Sequence, residues 1–174
     1  MRKIINPLFF NKSALEVAKE LLGKFLVLKK ENGEEIALLI NETEAYEGFE
    51  DKASHASKGK TERNKIMFEK GGCFYVYLVY GMYFMLNIVA GPENYPAAVL
   101  IRGAGKFCGP GKLTKFLNIN KNLNGEKAQR KSGLWIEDRG LIIPEKNIKT
   151  TPRIGVKYAG PVWANKKYRF ILKD

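Results

Sequence analysis

The chain has 174 residues, 45% of them hydrophobic, which predicts one domain (residues 1–174) with a real buried core. It carries 30 Lys and Arg against 18 Asp and Glu, a formal net charge of +12. Nearly all the excess follows Arg102: residues 103–174 hold 16 basic and 5 acidic side chains, against 14 and 13 before them. This basic surface favours a polyanionic partner, nucleic acid before membrane, although a lysine-rich surface without a specific partner is the plain alternative.

The cysteine and histidine content excludes a zinc site of any familiar kind. Cys73 and Cys108 are far apart in the sequence, and His55 is the only histidine. We therefore expect no metal, no cofactor and no disulfide framework, which fits a reducing cytoplasm. No charged segment followed by an apolar one opens the sequence, so a signal peptide is not expected.

The first part of the chain predicts one helix and a pair of strands. Ser13 and Glu16 have the spacing of a capping box, and apolar residues at helical spacing follow as far as Gly23. Residues 25–28 and 35–43 are apolar and are separated by a turn, so we predict that they pair as antiparallel strands.

Residues 73–90 are long and apolar enough to raise the question of a membrane span. We reject that reading because the segment is aromatic and β-branched, has Gly81 at its middle, and contains Asn87, which would be costly in lipid. Two strands joined at Tyr80-Gly81-Met82 fit better. Several strands and few helices predict an α+β fold around a curved antiparallel sheet. Further strands are predicted at 97–102, 134–136, 153–156 and 168–172, with a short helix at 110–117.

Acidic side chains at the end of a core strand are the first candidates for chemistry. If the strand entering at residue 36 continues, Ile40, Glu42, Glu44 and Tyr46 share one face. Glu44, beside aromatic rings, is well placed to deprotonate a water, although a surface glutamate at a strand exit is commoner. Glu42 could pair with Glu44 as in two-carboxylate glycosidases, or simply accept hydrogen bonds from backbone or arginine. Arg102 ends an apolar strand and needs an acid, for which Glu42 or Glu44 is the natural candidate.

Aromatic and polar side chains suggest a second function for the same region. A tyrosine set could pack in the core or stack on nucleic-acid bases. Tyr80 differs because it lies at the predicted hairpin turn, where an exposed ring can act as a wedge between base pairs. His55 is a hydrogen-bonded filler or a functional group, and Asn87 either bonds inside the core or reads a base edge. The tyrosine set is Tyr46, Tyr75, Tyr77, Tyr80 and Tyr83.

The segment Gly109-Pro110-Gly111-Lys112 invites comparison with a phosphate-binding loop. It lacks the full Gly-x-x-x-x-Gly-Lys-Ser/Thr spacing, so the case for nucleotide binding is weak. A contact from Lys112 to a nucleic-acid backbone phosphate is the more modest expectation.

Taken together, these residues resemble the alkyladenine (3-methyladenine) DNA glycosylase family of the mammalian type. The similarity spans nearly the whole chain and is most specific from Glu42 to Asn87. The matching text is Glu42-Thr43-Glu44-Ala45-Tyr46-Glu47-Gly48, Asp51, Ala53-Ser54-His55, Thr61, Arg63-Asn64, Met67-Phe68, Tyr75-Val76-Tyr77, Tyr80-Gly81-Met82, Asn87, Ala98-Val99-Leu100-Ile101-Arg102, Gly109-Pro110-Gly111-Lys112-Leu113 and Arg153-Ile154-Gly155-Val156.

The resemblance implies a compact domain with a curved, partly open barrel-like sheet, flanking short helices and a protruding hairpin. It also implies monofunctional excision of alkylated or deaminated purines from duplex DNA, without a cofactor, by a monomer associated with the nucleoid. One departure is visible. The family usually has a longer insert after the strand arginine, where only residues 103–108 intervene here.

The resemblance also assigns roles by position. Glu44 matches the water-activating base, and Arg102 matches the arginine beside the catalytic water. Leu134 is expected to supply the carbonyl near that water, and Tyr80 matches the ring that fills the gap in the duplex. The expected base pocket is Tyr46, His55, Tyr77 and Asn87, with Asn87 crowding the 2-amino group of guanine, and the expected DNA-backbone contacts are Met82, Tyr83 and Lys112.

Two alternatives from other classes stay open at this point. A non-catalytic nucleic-acid-binding module predicts salt-sensitive binding without release of any base. A two-carboxylate sugar hydrolase predicts that Glu42 and Glu44 are both essential, and leaves the basic part of the chain unexplained.

Overall fold

A computed structural model describes residues 2–173, which form ten β-strands and three α-helices. The strands are β1 (Lys3–Ile4), β2 (Phe25–Lys29), β3 (Glu35–Glu47), β4 (Phe74–Val79), β5 (Tyr83–Val89), β6 (Ala97–Ala104), β7 (Phe107–Cys108), β8 (Leu134–Asp138), β9 (Ile148–Thr151) and β10 (Arg169–Leu172). The helices are α1 (Ala14–Glu20), α2 (Pro110–Phe116) and α3 (Gly160–Asn165). Short 3-10 helices cover Pro7–Phe10, His55–Lys58, Lys65–Phe68, Lys121–Leu123, Arg130–Ser132, Glu145–Asn147 and Lys157–Ala159.

The strands form one antiparallel sheet that does not close into a barrel. Its main order is β1-β8-β2-β3-β6-β5-β4, with β10 pairing with both β3 and β9, and β7 pairing with β6. Strand β3 is therefore the centre of the sheet, because it pairs with β2 in its first half and with β6 and β10 in its second. The predicted α+β class, with short helices beside a largely antiparallel sheet, is confirmed.

Helix α1 covers the core side of the sheet. Its N-terminus has the predicted capping box, in which the Ser13 hydroxyl accepts from the Glu16 N–H and the Glu16 carboxylate accepts from the Ser13 N–H. Thr43 on β3 donates its hydroxyl to the Ala18 carbonyl at 2.8 Å, which ties the helix to the central strand. The apolar residues of α1 are buried in the main core together with residues from β2, β3, β5 and β6.

The long apolar segment forms a hairpin, as predicted: β4 and β5 pair from Phe74↔Ile88 to Val79↔Tyr83, and Tyr80-Gly81-Met82 connects them. In residues 2–173 no helix combines the length and hydrophobicity that crossing a bilayer requires. The helix predicted at 110–117 is α2. The segment 103–108 contains the end of β6, a two-residue turn and β7, which pairs back onto β6.

The strand predicted at 153–156 is wrong. Gly155 has a left-handed φ of +77°, and the chain turns there into the 3-10 helix Lys157–Ala159 instead of extending. The pattern also missed β1, β7, β9 and α3, which are short and lack an alternating or helical apolar repeat.

A bulge in β3 changes one predicted face. The pairing with β6 shifts register between Ile40 and Glu42 and again between Glu42 and Thr43. Ile40 therefore lies in the apolar core with Ala45, whereas Glu42, Glu44 and Tyr46 lie on the opposite face. The expectation that Ile40 shares their face is wrong, because the irregular pairing around Glu42 interrupts the alternation of side chains.

Candidate active site

Glu44 is fully buried in the second half of β3 and is held from three directions. Its Oε1 accepts the Ile154 backbone N–H at 2.8 Å, and its Oε2 accepts the Tyr46 hydroxyl at 2.9 Å. Arg102 Nη1 lies 3.5 Å from Oε2, which is longer than an ordinary charged hydrogen bond. Because an ionised carboxylate can accept about four hydrogen bonds, lone pairs on both oxygens remain available.

The surroundings of Glu44 raise its pKa above the ordinary glutamate value. Burial is the largest cause, and the charge of Arg102 and the hydrogen bonds from Ile154 and Tyr46 oppose it without reversing it. The Tyr46 hydroxyl has a pKa raised well above its usual value by burial and by the Glu44 charge, so it remains a hydrogen-bond donor. A buried carboxylate with an elevated pKa is what a general base working near neutral pH requires.

Glu42 is committed to two arginines. Its Oε1 accepts Arg102 Nε at 2.9 Å and Arg169 Nε at 2.6 Å. Glu42 is therefore engaged in ion pairs, which supports the hydrogen-bonding interpretation of this residue over a second catalytic carboxylate. Arg169 lies on β10 directly opposite Glu44 in the strand register, and the sequence reasoning missed it.

A cavity of about 370 Å³ opens in front of Glu44. All three residues that bind the Glu44 carboxylate also line this cavity, so the carboxylate lies just behind its wall. The predicted pocket residues come together here, since Tyr46, His55, Tyr77, Asn87 and Arg102 are all part of the lining. The further lining residues include Tyr75, Tyr158, Met67, Leu100, Ile154 and Val156, together with Val79 and Tyr80 of the hairpin.

His55 is fixed by two tyrosines of the hairpin. Its Nδ1 lies 2.9 Å from the Tyr75 hydroxyl, and its ring meets the edge of Tyr77 at a centroid distance of 4.5 Å. Burial, with the nearby Arg63 charge, lowers the pKa of His55, so the neutral imidazole predominates at neutral pH. Burial raises the pKa of Tyr75 to about 12 and that of Tyr77 further, so both phenols stay protonated.

Asn87 lies on β5 at the side of the cavity and is buried. Its Nδ2 donates to the Tyr75 carbonyl at 3.1 Å and, more weakly, to the Met85 carbonyl at 3.3 Å. The side chain therefore bonds to backbone, the first of the two predicted possibilities, and still presents a fixed surface to the cavity.

The hairpin turn projects beside the cavity mouth. Tyr80 is 87% exposed and has a left-handed φ of +52°, which is unusual for a residue other than glycine. Met82 and Tyr83 are also exposed, and Lys112 lies on the outer side of α2. Gly111 lets α2 approach the Tyr83 ring, because a Cβ at that position would lie 2.8 Å from it.

The structure does not bring Leu134 to the site, so that prediction is wrong. Leu134 is buried in the main core and pairs with Leu28, whose other neighbour Ile36 is eight residues from Glu44 along β3. Its carbonyl accepts the Ser132 hydroxyl instead. The backbone group that binds Glu44 belongs to Ile154, from a segment predicted as a strand rather than as part of the site.

A buried ion pair supports the Tyr46 wall of the cavity. The two terminal guanidinium nitrogens of Arg153, Nη1 and Nη2, donate to the Asp51 carboxylate, and Nη1 also donates to the Ala45 carbonyl at 2.8 Å. The Arg153 guanidinium lies 4.7 Å from the Tyr46 ring centre. Among residues 2–173 no three His, Cys, Asp or Glu side chains lie close enough to hold a metal ion.

The comparisons with known proteins agree with this geometry. The model of the methylpurine-DNA glycosylase family matches residues 8–108 and 105–174. The chain belongs to the methylpurine-DNA glycosylase family. The two matched segments overlap at residues 105–108, within the segment 103–108 that we expect from the sequence to be shorter than the family pattern. The predicted family, the predicted enzyme class of DNA glycosylase and the expectation of DNA as the partner are thereby confirmed.

Individual relatives cover almost the whole chain. A protein of Methanocella arvoryzae is 44% identical across 95% of this chain and 90% of its own length. One from Ehrlichia ruminantium is 39% identical across 100% and 92%, and one from Legionella pneumophila is 41% identical across 100% and 96%. Each of these relatives carries the name "Putative 3-methyladenine DNA glycosylase".

Proposed function

We propose that this methylpurine-DNA glycosylase family member removes 3-methyladenine, 7-methylguanine and hypoxanthine-type purines from duplex DNA. The damaged nucleotide is flipped out of the helix into the cavity, and its N-glycosidic bond is hydrolysed there. The observation that carries the proposal is the position of Glu44, a buried carboxylate whose three binding partners all line the aromatic cavity.

The reaction follows from the groups around Glu44. A water held by free lone pairs of Glu44 attacks C1′ of the sugar, the C1′–N bond breaks, and its electron pair leaves with the base. The water proton passes to Glu44, whose raised pKa favours accepting it. The Glu44 charge also favours the oxocarbenium-like sugar, while Arg102 stays beside the water site.

The cavity suits a purine, above all a charged one. Its volume of about 370 Å³ lies in the usual range of small-molecule sites, and its walls present the rings of Tyr46, Tyr77 and His55. An N-alkylated purine carries a positive charge, which these rings attract and which makes the base a good leaving group. A neutral lesion such as hypoxanthine needs more help, for which His55 is the available hydrogen-bonding group.

The hairpin supplies the wedge that flipping requires. Tyr80 is the most exposed large ring of the site, and it lies beside the cavity on a rigid two-stranded support. Inserted from the minor groove, its ring fills the gap left by the flipped nucleotide and offsets part of the unstacking cost of a few kcal/mol. Met82, Tyr83 and Lys112 contact the backbone alongside it, and the enzyme acts as a monomer in the cytoplasm, at the nucleoid.

The test of the proposal is release of free bases from duplexes that contain N-methylated purines or hypoxanthine. The parent protein is expected to release them, and Glu44→Gln, which keeps the size but cannot accept the proton, is expected to be slower by about 100-fold or more. Binding of these duplexes without release of any base, or equal rates for the parent and Glu44→Gln, would contradict the proposal.

A second test separates the wedge from the fold. Tyr80→Ala and Tyr80→Gly both remove the ring, and each is expected to weaken binding to a lesion duplex by about 10-fold or more, as loss of one stacked ring implies. Glycine accepts the left-handed φ without strain, so Tyr80→Gly should melt at or slightly above the temperature of Tyr80→Ala. Unchanged lesion affinity in both variants, measured by fluorescence anisotropy, would remove the wedge role.

A further inference from the structure

Glu42 lies at the meeting point of the two arginines that flank Glu44. Arg102 comes from β6 and Arg169 from β10, the strands on either side of this part of β3. Both donate through Nε to the same oxygen of Glu42, at 2.9 Å and 2.6 Å. The Glu42 side chain is only 12% exposed, so water does little to screen these contacts.

The Glu42 contact determines which part of Arg102 faces the reaction site. Since Nε is bound to Glu42, only the Nη1 end points to Glu44, and it stops 3.5 Å from Oε2. An arginine without that restraint forms a close two-pronged pair with a carboxylate. Such a pair with Glu44 would occupy the lone pairs that the water needs and would hold the carboxylate in its ionised form.

We propose that Glu42 is a positioning residue for base excision, which holds Arg102 back from Glu44 and, together with Arg169, balances the charge around it. The inference deepens the proposed function and rests on it. Glu42 touches neither the water nor the base in this account and acts only through Arg102. Arg169 has the complementary role, because it neutralises Glu42 from the other side.

The charges around Glu44 predict in which direction each substitution shifts its protonation. Two carboxylates and two guanidinium groups meet here, so the local charge sums to zero when all four are ionised. Removing the Glu42 charge leaves an excess positive charge beside Glu44, and removing the Arg169 charge leaves an excess negative one. The charged or titratable groups that surround Glu44 on the packed elements are Glu42, Tyr46, Tyr77, Arg102, Arg153, Tyr158 and Arg169.

The experiment is a pH profile of the single-turnover excision rate on a duplex with one 7-methylguanine, at saturating protein, corrected for spontaneous loss. Glu42→Gln is expected to move the acidic limb down by about 0.5 pH unit or more and to lower the plateau about 10-fold. Arg169→Gln is expected to move the limb up by a similar amount. The double variant restores the charge balance, so its limb should return toward that of the parent.

Matched controls come from an exposed ion pair on the turn between β2 and β3. Lys30 Nζ and Glu34 Oε2 lie 2.8 Å apart at the protein surface. Lys30→Gln, Glu34→Gln and their double variant repeat the same charge changes away from the cavity and should leave the acidic limb in place. If Glu42→Gln does not fold, as judged by its melting curve, the difference between the limbs of Arg169→Gln and of the double variant still isolates the effect of Glu42.

Three results would overturn the inference. They are an unmoved limb in both single variants, shifts in the same direction, and a double variant that sums two losses without restoring the limb. A slower rate with an unmoved limb would mean that Glu42 only supports the fold. Failure of the proposed function is distinguishable, because then the parent releases no base or Glu44→Gln matches it, whatever Glu42 does.

Discussion

The protein buries two glutamates in its sheet, and their surroundings shift their pKa values in opposite directions. Glu44 on β3 and Glu137 on β8 are both almost completely inaccessible to water. Glu137 accepts from Arg2, from the Trp135 indole N–H and from Arg139, with donor distances of 2.9 to 3.1 Å. Glu44 accepts two uncharged donors at close range and keeps its nearest arginine at 3.5 Å.

The pKa values follow from this difference in pairing. Burial raises the pKa of Glu137, but hydrogen bonds from Arg2, Trp135 and Arg139 outweigh it and bring the pKa to about 2. At Glu44 burial also acts upward, and the charges of Arg102 and Arg169, with the two uncharged hydrogen bonds, do not overcome it. Burial alone therefore does not make a base. A buried carboxylate can accept a proton when charged donors are kept at a distance, as at Glu44. When charged donors bind it closely, as at Glu137, it is a structural ion-pair partner, here called an anchor.

The largest effect on stability is expected for substitution of Glu137. Glu137→Gln removes the charge that Arg2 and Arg139 share, so it should lower the free energy of unfolding by about 2–3 kcal/mol at pH 7. Because the folded pKa of Glu137 is depressed, this loss is full above the ordinary glutamate range and shrinks as pH falls through about 2. Urea unfolding measures it. A cost as small as that of Glu34→Gln, whose carboxylate pairs with Lys30 at the exposed surface, would contradict the anchor role.

A smaller effect on stability, of opposite sign, is expected for substitution of Glu44. The raised pKa of Glu44 means that the ionised form costs stability above that pKa and costs nothing below the ordinary glutamate range. Glu44→Gln should therefore unfold at a free energy about 1 kcal/mol higher than the parent at pH 8. The gain should shrink as pH falls below the raised pKa and vanish below the ordinary glutamate range. A destabilised Glu44→Gln at pH 8 would show that the carboxylate is an anchor as well.

Part of the fold and part of the site could be predicted from local sequence signals. The capping box at Ser13 marked α1, and the aromatic run broken by Gly81 marked the β4–β5 hairpin, because caps and turns depend on neighbours in the chain. Tyr46 and His55 were identified by motif and both line the cavity, and Glu44, from the same motif, accepts the Tyr46 hydroxyl behind its wall.

What could not be predicted depends on contacts between distant segments. The bulge that takes Ile40 off the Glu44 face exists only in the pairing of β3 with β6, which no single strand reveals. The Ile154 amide reaches Glu44 across 110 residues, and a backbone donor has no residue signature, so the sequence did not reveal it. Glu137 escaped notice for a similar reason, since its donor Arg2 lies 135 residues away in the sequence.

Whether Glu44 is the base is tested most simply by making the same substitution at both buried glutamates and measuring excision. Single-turnover release of 7-methylguanine at pH 7 is compared for the parent, Glu44→Gln and Glu137→Gln, at a temperature at which all three are folded. We expect Glu44→Gln to lose about 100-fold or more and Glu137→Gln to stay within about 3-fold of the parent. Equal losses in the two variants, or a larger loss in Glu137→Gln, would contradict the assignment of Glu44 as the base.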